Sequence, residues 1–280
     1  MLPQLLKVED PTDVMVSVPD NWPEEEKNRF VLKVHEYLTS IMVSRNTVGA
    51  FSAEWMRNAL TNYERARNSI PADQVGHQGE YALIVGAGPS VNGFDIPKEA
   101  QSFVAWSAVN KLGSGKINVL GHCDHRRVDA RNDADWLAYT PTCHPSFLKG
   151  RSSWNMYIYY NKACPIATWF ADKRNYEEHE PIAGHVVDML MQMAIYSGHD
   201  TVKLIGVDLC CRSVEDLLSY HPGVVPLEAV NYNGDIVYTD DIFLTYQRGL
   251  EELVRRWPEK KFRNLSPDGI ILEGVPYESY

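Results

Sequence analysis

The stretch YALIVGAGPSVN, from Tyr81 to Asn92, decides the fold of this chain. Four apolar residues, Ala82 to Val85, end in the turn Gly86–Ser90, a pattern typical of a buried parallel strand that runs into a tight turn. Glycine there can adopt positive φ and let a ligand approach the backbone, and the next residues suit a short helix whose free N–H groups attract an anion. We therefore predict that a phosphate group binds at this turn.

The turn departs from two familiar phosphate-binding motifs. A dinucleotide fingerprint would place a third glycine at the start of a long apolar helix, whereas the following segment 91–97 contains both a glycine and a proline. A P-loop would continue with Gly-Lys-Ser/Thr, and that sequence does not follow this turn. A tight strand-to-helix turn without any ligand is therefore the alternative interpretation.

The composition indicates a soluble α/β protein rather than a nucleic-acid or membrane protein. With 280 residues, of which 44% are hydrophobic and 11% aromatic, the chain can bury a large core. A formal charge of −10 argues against binding a nucleic-acid backbone, which needs a basic surface. Five cysteines without a CxxC spacing favour a reducing compartment, and no apolar run is long enough to predict a membrane span. We predict a cytoplasmic protein.

Hydrophobic patterning predicts helices and strands along most of the chain. Apolar residues at three- and four-residue spacing predict amphipathic helices, and short apolar runs between turn residues predict strands. The predicted helices are 24–46, 52–68, 181–197 and one that is capped by Thr239, Asp240 or Asp241 and runs to Trp257. The predicted strands are 82–85, 102–106, 117–121, 136–140, 201–207 and 262–265. The stretch 210–235 has no periodicity and is interpreted as a mobile lid or long loop.

These elements predict an α/β fold with a Rossmann-like, mostly parallel sheet, helices on both faces, and a preceding N-terminal helical layer. The segment 70–80 is rich in Pro, Gly and polar residues, which favours a domain boundary. We predict an N-terminal lead-in and helical layer at 1–77 and a nucleotide-binding domain at 78–280. Ligands of open α/β sheets bind at the carboxyl ends of strands, where the glycine turn, the loop 121–125 and Asp208 would converge.

The loop GHCDHRR at 121–127 brings two imidazoles, a thiol, a carboxylate and two guanidinium groups together after a predicted strand. Asp124 could hold a divalent cation such as Mg²⁺ against donor phosphates, and Arg126 or Arg127 could neutralise those phosphates. Zinc is a weaker alternative, because ligands at adjacent positions seldom wrap one tetrahedral ion. A solvated polar loop is the remaining interpretation.

Further polar candidates follow later in the chain. Asp208, after an apolar strand, could bind a ribose hydroxyl, a cation or a substrate amine, or could merely cap the next helix. Gly184 and His185 lie in the first turn of a predicted helix, where glycine lets an anion approach, although a packed histidine is the simpler interpretation. Tyr220 and His221 in the predicted lid are candidates for phosphate contact and proton transfer, or are surface residues.

Several segments together resemble the MptE-like family. That family contains archaeal 6-hydroxymethylpterin diphosphokinases and the bacterial motility-associated-factor (Maf) flagellin glycosyltransferases. The segments are ALIVGAGPSV at 82–91, the cluster at 122–127, AGHVVDMLMQMAIYSG at 183–198, VKLIGVDL at 202–209 and VYTDDIFLTYQRGLEEL at 237–253. The glycine turn and the G-x-D strand end are also similar, more distantly, to bacterial CMP-sialic acid sialyltransferases. The resemblance covers about residues 80–275 and implies a Rossmann-like sheet that binds a nucleotide donor at the GxGPS turn.

The resemblance also implies roles for individual residues. It puts the glycine turn at the donor nucleotide, Gly184 and His185 near the transferred group, and Asp208 at the floor of the cleft. The predicted nucleotide-binding residues are Gly86, Ala87, Gly88, Pro89, Ser90, Asn92, Gly184 and His185. The predicted phosphate ligands are Arg126, Arg127 and Tyr220, the predicted catalytic residues are Asp124, Asp208 and His221, and the predicted metal ligands are Asp124 and Asp208.

We predict a nucleotide-dependent transferase that moves a diphosphoryl group from a triphosphate such as ATP to a hydroxyl of a small, pterin-like acceptor. Asp124 and Asp208 could bind the Mg²⁺ that this reaction needs. Glycosyl transfer from a CMP-type sugar donor is the first alternative, and a noncatalytic nucleotide-binding or scaffold protein is the second. Sialyltransferases have a polar residue where this chain has Ala87 and a catalytic histidine where it has Tyr238-Thr239, although His221 could substitute.

Overall fold

The computed structural model describes residues 53–129, 133–161 and 185–280, together with the isolated positions 23–25, 27, 51, 171–172 and 179. The chain divides into two compact units, Met1–Glu54 and Trp55–Tyr280. Nearly all of the described residues belong to the second unit, and the predicted helix at 24–46 lies almost entirely outside them. The second unit begins at Trp55. The predicted domain boundary between 77 and 78 stays a prediction.

One parallel sheet of eight strands forms the core of the second unit. The strands in chain order are β1 (Ile70–Pro71), β2 (Tyr81–Val85), β3 (Ala100–Ala105), β4 (Ile117–His122), β5 (Ala134–Tyr139), β6 (Met156–Ile158), β7 (Thr201–Ile205), β8 (Leu227–Val230), β9 (Ile236–Thr239) and β10 (Lys261–Asn264). All except β8 and β9 join the sheet, in the spatial order β1-β6-β5-β4-β3-β2-β7-β10. Every neighbouring pair in this sheet is parallel. The predicted Rossmann-like α/β fold is confirmed, and each predicted strand is present.

The described residues include three of the predicted helices and one short helix that the sequence does not predict. These helices are α1 at 53–68, α2 (Val186–Tyr196), α3 (Val214–Tyr220) and α4 (Asp241–Arg256). Helix α2 packs on β2, β3, β4 and β7 and buries every residue from 187 to 195, which accounts for its broad apolar pattern. Asp240 is the cap of α4 among the three predicted candidates. None of the helices in the described ranges combines the length and the hydrophobicity that a membrane-spanning helix needs.

The connections of the sheet differ from the predicted ones. The segment 210–235 is not a long loop, because it contains α3 and most of the antiparallel β8–β9 hairpin. Helix α3 has only seven residues, too few for a periodic apolar pattern to be recognised. The connections 86–99 and 106–116, both described throughout, contain the 3₁₀ turns Pro89–Val91 and Trp106–Lys111 in place of α-helices.

Strand β2 lies at the switch point of the sheet. The chain passes from β2 to β3 and β4 on one side, whereas β7 and β10 join later on the other side of β2. At such a point the connections lead away in opposite directions and leave a crevice outside the carboxyl ends of the strands. The glycine turn follows β2, so it lies at the entrance to this crevice.

The turns after β2 and β7 are in backbone contact. The amides of Gly86 and Gly88 donate to the carbonyl oxygens of Ile205 and Gly206 at 2.8 and 2.7 Å. A Cβ on Gly86 would overlap the Gly206 carbonyl oxygen, and a Cβ on Gly206 would overlap that of Gly86. Contrary to the prediction, Gly86 and Gly88 do not adopt positive φ, whereas Gly206 does, at 68°. These glycines are required because two backbones approach each other.

We expect Gly86→Ala to lower the free energy of unfolding by about 1–3 kcal/mol, the usual cost of forcing extra atoms into a packed site. The added methyl group would overlap backbone that cannot move without separating two strands. Gly76→Ala is the matched control, since a Cβ at Gly76 would meet no atom within 4 Å. Urea unfolding of both variants measures the difference, and an unchanged midpoint for Gly86→Ala would contradict this packing.

Candidate functional site

Asp208 connects three strand ends at the switch point. Its side chain is only 3% exposed. Its Oδ2 accepts a hydrogen bond from the Ser90 amide at 2.8 Å, and its Oδ1 accepts one from Ser90 Oγ at 2.5 Å. Ser90 Oγ also lies 2.8 Å from the hydroxyl of Ser266, just after β10. Both carboxylate oxygens are therefore engaged, which favours the capping interpretation, although the capped turn precedes Asp208 instead of following it.

Most amides of the glycine turn are already used within the protein. Gly86 and Gly88 donate to the end of β7, and Ser90 donates to Asp208. A Cβ on Gly88 would lie 2.5 Å from Asp208 Oδ2, so this glycine makes room for a carboxylate. The predicted free N–H groups of the short helix are not free at Ser90, because Asp208 accepts a hydrogen bond from this amide. Binding of a nucleotide near Gly86–Ser90 stays a prediction.

Ala87 differs from its neighbours in the turn. Its amide has no hydrogen-bond partner in the part of the chain that the structure describes, and its carbonyl accepts a hydrogen bond from Lys111 Nζ. Pro89 takes the first position of the 3₁₀ turn, as predicted. Asn92 is exposed at the end of that turn, and its amide donates to the Pro89 carbonyl at 3.1 Å. The nucleotide-binding roles of Ala87, Pro89 and Asn92 stay predictions.

Asp124, just after β4, is paired with its neighbours in sequence. Arg126 donates to the two carboxylate oxygens from its amide and its Nε, both at 2.9 Å, and His125 Nδ1 lies 3.2 Å from Oδ1. Burial raises the pKa of Asp124, but the hydrogen bonds and charge of Arg126 outweigh burial and hold this pKa below its usual value. Arg127 is exposed and has no hydrogen bond or ion pair with a described residue, so its guanidinium stays available to a ligand.

Two other members of this loop are not arranged for reaction. Burial lowers the pKa of His122 to about 4, despite the opposing charge of Asp124. Burial and the same carboxylate raise the pKa of the Cys123 thiol to about 12. At neutral pH these groups are an uncharged imidazole and a protonated thiol, so the polar density of the loop partly reflects packing at the end of β4.

Asp124 and Asp208 do not share a cation site. They follow β4 and β7, which are separated in the sheet by β3 and β2. Adjacent strands are about 4.8 Å apart, so these strand ends are roughly 14 Å apart, whereas Mg²⁺ binds its ligands at about 2.1 Å. Within the described ranges, no group of three or more His, Cys, Asp and Glu side chains could hold a metal ion. These residues therefore do not fit the predicted Mg²⁺ site or the zinc alternative.

His185 caps α2 through Nδ1, which accepts a hydrogen bond from the Val187 amide at 3.1 Å. Its Nε2 is buried, has no hydrogen bond to a residue that the structure describes, and lies 3.6 Å from Asp188 Oδ1. Burial lowers the pKa of His185 and the carboxylate opposes this effect, so the imidazole is uncharged at neutral pH. Its ring contacts the edge of Tyr246, with centroids 4.5 Å apart. Gly184 lies outside the described residues, and nucleotide binding by both residues stays a prediction.

His221 and Asp240 form a hydrogen-bonded pair at the start of α4. His221 Nδ1 donates to Asp240 Oδ2 at 2.6 Å. Asp240 is fully buried, and its Oδ1 accepts a hydrogen bond from the Phe243 amide at 2.8 Å as the cap of α4. The adjacent Thr239 donates from Oγ1 to the Leu209 carbonyl at 2.9 Å. This last bond holds the pair beside the end of β7.

The second nitrogen of the His221 ring is available. The ring packs against Phe243 and Tyr220, with centroids 4.7 and 5.2 Å apart, and its side chain is 19% exposed. Nε2 has no hydrogen bond to a residue that the structure describes. A buried carboxylate that holds Nδ1 orients the imidazole and leaves Nε2 free to accept a proton. Tyr220, a predicted phosphate ligand, is 61% exposed beside it.

Tyr246 of α4 interacts electrostatically both with Asp240 of this pair and with the residues that follow β4. Burial, together with the nearby acidic groups of Cys123, Asp188, Asp240 and Asp124, raises the pKa of Tyr246 to about 12. The phenol therefore stays protonated at neutral pH and can donate a hydrogen bond. Helix α2 packs against both β4 and α4, so the loop that follows β4 lies near these two helices.

Three residues near the carboxyl ends of the strands are not predicted as site residues from the sequence: Asp240, Tyr246 and Lys111. Asp240 is recognised only as a possible helix cap, and its pairing with His221 depends on the short helix α3. Tyr246 stands within an amphipathic helix pattern, and Lys111 belongs to no motif. The sequence signal that could have pointed to Asp240 is the pair of acids at 240–241, because aspartate is a preferred residue at the N-cap of a helix.

The chain matches no protein-family model and no curated protein. Its structure is similar to a MAf glycosyltransferase from Magnetospirillum magneticum AMB-1, with 18% sequence identity and a TM-score of 0.55. This similarity covers 78% of the present chain but only 38% of the other. The sialyltransferase CstII from Campylobacter jejuni in complex with CMP-3FNeuAc is 13% identical, with a TM-score of 0.38 and coverage of 71% and 86% of the two chains. The first similarity confirms the Rossmann-like fold that the Maf resemblance implies.

Proposed function

We propose that this chain is a glycosyltransferase that moves a sugar from a nucleotide-activated donor to an acceptor hydroxyl. The observation that carries the proposal is the 2.6 Å hydrogen bond between His221 and the buried Asp240, beside the switch point. Open parallel sheets bind ligands at this position, and a histidine oriented by a carboxylate is a common general base. The similarity to a MAf glycosyltransferase concerns the fold, so the reaction is inferred from the pair.

His221 acts as the general base in this proposal. Its Nε2 takes the proton of the acceptor hydroxyl while the acceptor oxygen forms a bond to the anomeric carbon of the donor. The bond from that carbon to the donor phosphate oxygen breaks, and the leaving nucleotide keeps the electron pair. Asp240 holds the imidazole in one orientation and stabilises its positive charge after proton transfer. Asp240 is a positioning residue, because it acts through His221.

The pair also resolves a departure of the sequence from the sialyltransferase pattern. That pattern has a histidine just before the last long helix, where this chain has Tyr238 and Thr239. His221 directly follows α3, yet its hydrogen bond to Asp240 brings an imidazole to the start of the last long helix. A histidine side chain can therefore act as a base at the start of this helix, although the sequence has no histidine at 238–239.

Hydrogen-bond donors near the pair suit a leaving nucleotide. Tyr246 stays protonated at neutral pH because its pKa is raised by burial and by nearby acids. Tyr220 is exposed beside His221 and can turn toward a ligand, and Arg127 is an exposed cation in the loop after β4. Such groups stabilise the negative charge that develops on phosphate oxygens as the glycosyl bond breaks. The predicted phosphate role of Arg126 is less favoured, since Arg126 is bound to Asp124.

Diphosphoryl transfer ranks below glycosyl transfer in this proposal. That reaction depends on Mg²⁺ between donor phosphates, and its predicted ligands, Asp124 and Asp208, follow strands that are not adjacent. Asp208 is also fully engaged with Ser90.

We expect at least one nucleotide to raise the melting temperature of the protein. Thermal-shift measurements would compare CMP, UMP, GMP, AMP, ATP and the corresponding nucleotide sugars. A ligand at about 100 times its Kd stabilises the folded state by about 2.7 kcal/mol, which is readily detected. A flat response across the whole set would contradict the proposal and favour the noncatalytic scaffold alternative.

We expect His221→Ala to lower kcat by about 10²- to 10⁴-fold, the usual contribution of a general base. Asp240→Asn should also lower kcat while it changes the melting temperature little, since asparagine still caps a helix. Release of nucleotide from the donor that binds best measures both effects. The matched control is His77→Ala, because His77 is exposed and lies before β2, toward the amino ends of the strands. Full activity of His221→Ala would exclude this histidine as the base.

Donor binding should be the same in EDTA as in Mg²⁺, and Asp124→Asn should bind the donor as the wild type does. The physical reason is that the two predicted metal ligands lie too far apart to hold one ion. Isothermal titration of the donor under both conditions measures the difference. Binding that disappears in EDTA and returns with Mg²⁺ would instead support diphosphoryl transfer.

A further inference from the structure

Lys111 holds the glycine turn from the β3 side. It is the last residue of the 3₁₀ turn Trp106–Lys111, which directly follows β3. Its Nζ donates a hydrogen bond to the Ala87 carbonyl, and its own carbonyl accepts one from the Gly93 amide at 2.8 Å. Contacts from both its backbone and its side chain therefore place a half-buried ammonium group against the turn.

This ammonium has no carboxylate partner among the residues that the structure describes. Lys116, Lys203 and Lys260, in contrast, pair with carboxylates at 2.7, 2.6 and 3.2 Å. A half-buried cation without a counter-ion has lost part of its hydration, and Lys111 has one carbonyl hydrogen bond in return. This cation occurs in a chain of formal charge −10. An anionic ligand would supply the missing charge.

The two sides of the glycine turn differ in charge and in the number of free hydrogen-bond donors that they offer an anion. On the β7 side lies the buried carboxylate of Asp208, which repels an anion and already accepts the nearby Ser90 donors. On the β3 side, the Lys111 ammonium keeps two N–H donors after its bond to Ala87, because an ammonium group has three. The unused Ala87 amide belongs to the same turn. Charge and free donors therefore favour the Lys111 side.

We propose that Lys111 binds the donor phosphate at Ala87, an inference that rests on the proposed glycosyl transfer. The ligand class is the phosphate of a nucleotide-activated sugar. A lysine is a compact positive charge, and its attraction to the phosphate grows as the bond to the anomeric carbon breaks and negative charge collects on the leaving nucleotide. Lys111 would thus provide the charge compensation for which Mg²⁺ was predicted.

The test compares Lys111→Met with Lys111→Arg and with Lys116→Met at constant ionic strength. The probes are the nucleotide that binds best, its matching nucleoside, and inorganic pyrophosphate. We expect Lys111→Met to weaken nucleotide binding about 10- to 100-fold, since a hydrogen bond to a charged group is lost, and to leave nucleoside binding unchanged. Lys111→Arg should keep most of the affinity. Lys116→Met should match the wild type, because Lys116 lies at the amino end of β4 and pairs with Asp135.

Each outcome has a defined meaning. Equal affinity of Lys111→Met and the wild type for nucleotide and pyrophosphate would overturn the proposal. An equal loss of nucleotide and nucleoside binding, with a lower melting temperature of the free variant, would show that Lys111 only supports the turn, and would also overturn it. If the wild type binds no nucleotide, the proposed function fails separately. Pyrophosphate binding then tests the anion site alone, because this probe requires only the Lys111 cation. Binding that is lost in Lys111→Met would support the anion site, and no binding to the wild type would reject it.

Discussion

The rest of the structure depends on the contact between the turns that follow β2 and β7. Gly86 and Gly206 approach so closely that neither can carry a side chain, and Asp208 closes the contact with two hydrogen bonds to Ser90. This contact sets the spacing of the two strand ends at the switch point. It also fixes where the chain leaves β7, and therefore where Leu209 meets Thr239 and the start of α4.

The fold could be predicted from the sequence because its signals are local. The apolar run before Gly86 and the apolar pattern of α2 each fit one kind of element, and both elements are buried as expected. The purpose of the glycines could not be predicted in the same way. A glycine that admits a phosphate and a glycine that admits a neighbouring backbone look identical in sequence, and only the strand order shows that Gly206 lies beside Gly86.

The candidate site shows the same division between local and distant information. His221 is recognisable as a polar residue in an irregular segment, but its hydrogen bond to Asp240 depends on α3 and on the hairpin after it. Asp124 and Asp208 are both recognisable as acids at strand ends. Their separation depends on β3 and β2 lying between them, which no pattern around either acid reveals. The type of polar residue at a strand end can therefore be recognised in the sequence, whereas its partner from another strand or helix cannot.

The sequence separation within the switch point also affects how the protein is made. Ser90 and Asp208 are 118 positions apart, so a chain leaving the ribosome presents the glycine turn long before the partners of that turn are synthesised. Until β7 emerges, the β2 edge that β7 later covers has unpaired backbone groups, a state that invites pairing with other chains. No fragment that ends before Ile205 can complete the turn, since Gly86 donates to that carbonyl. Arrival of β7 thus protects the nascent sheet and completes the glycine turn in a single step.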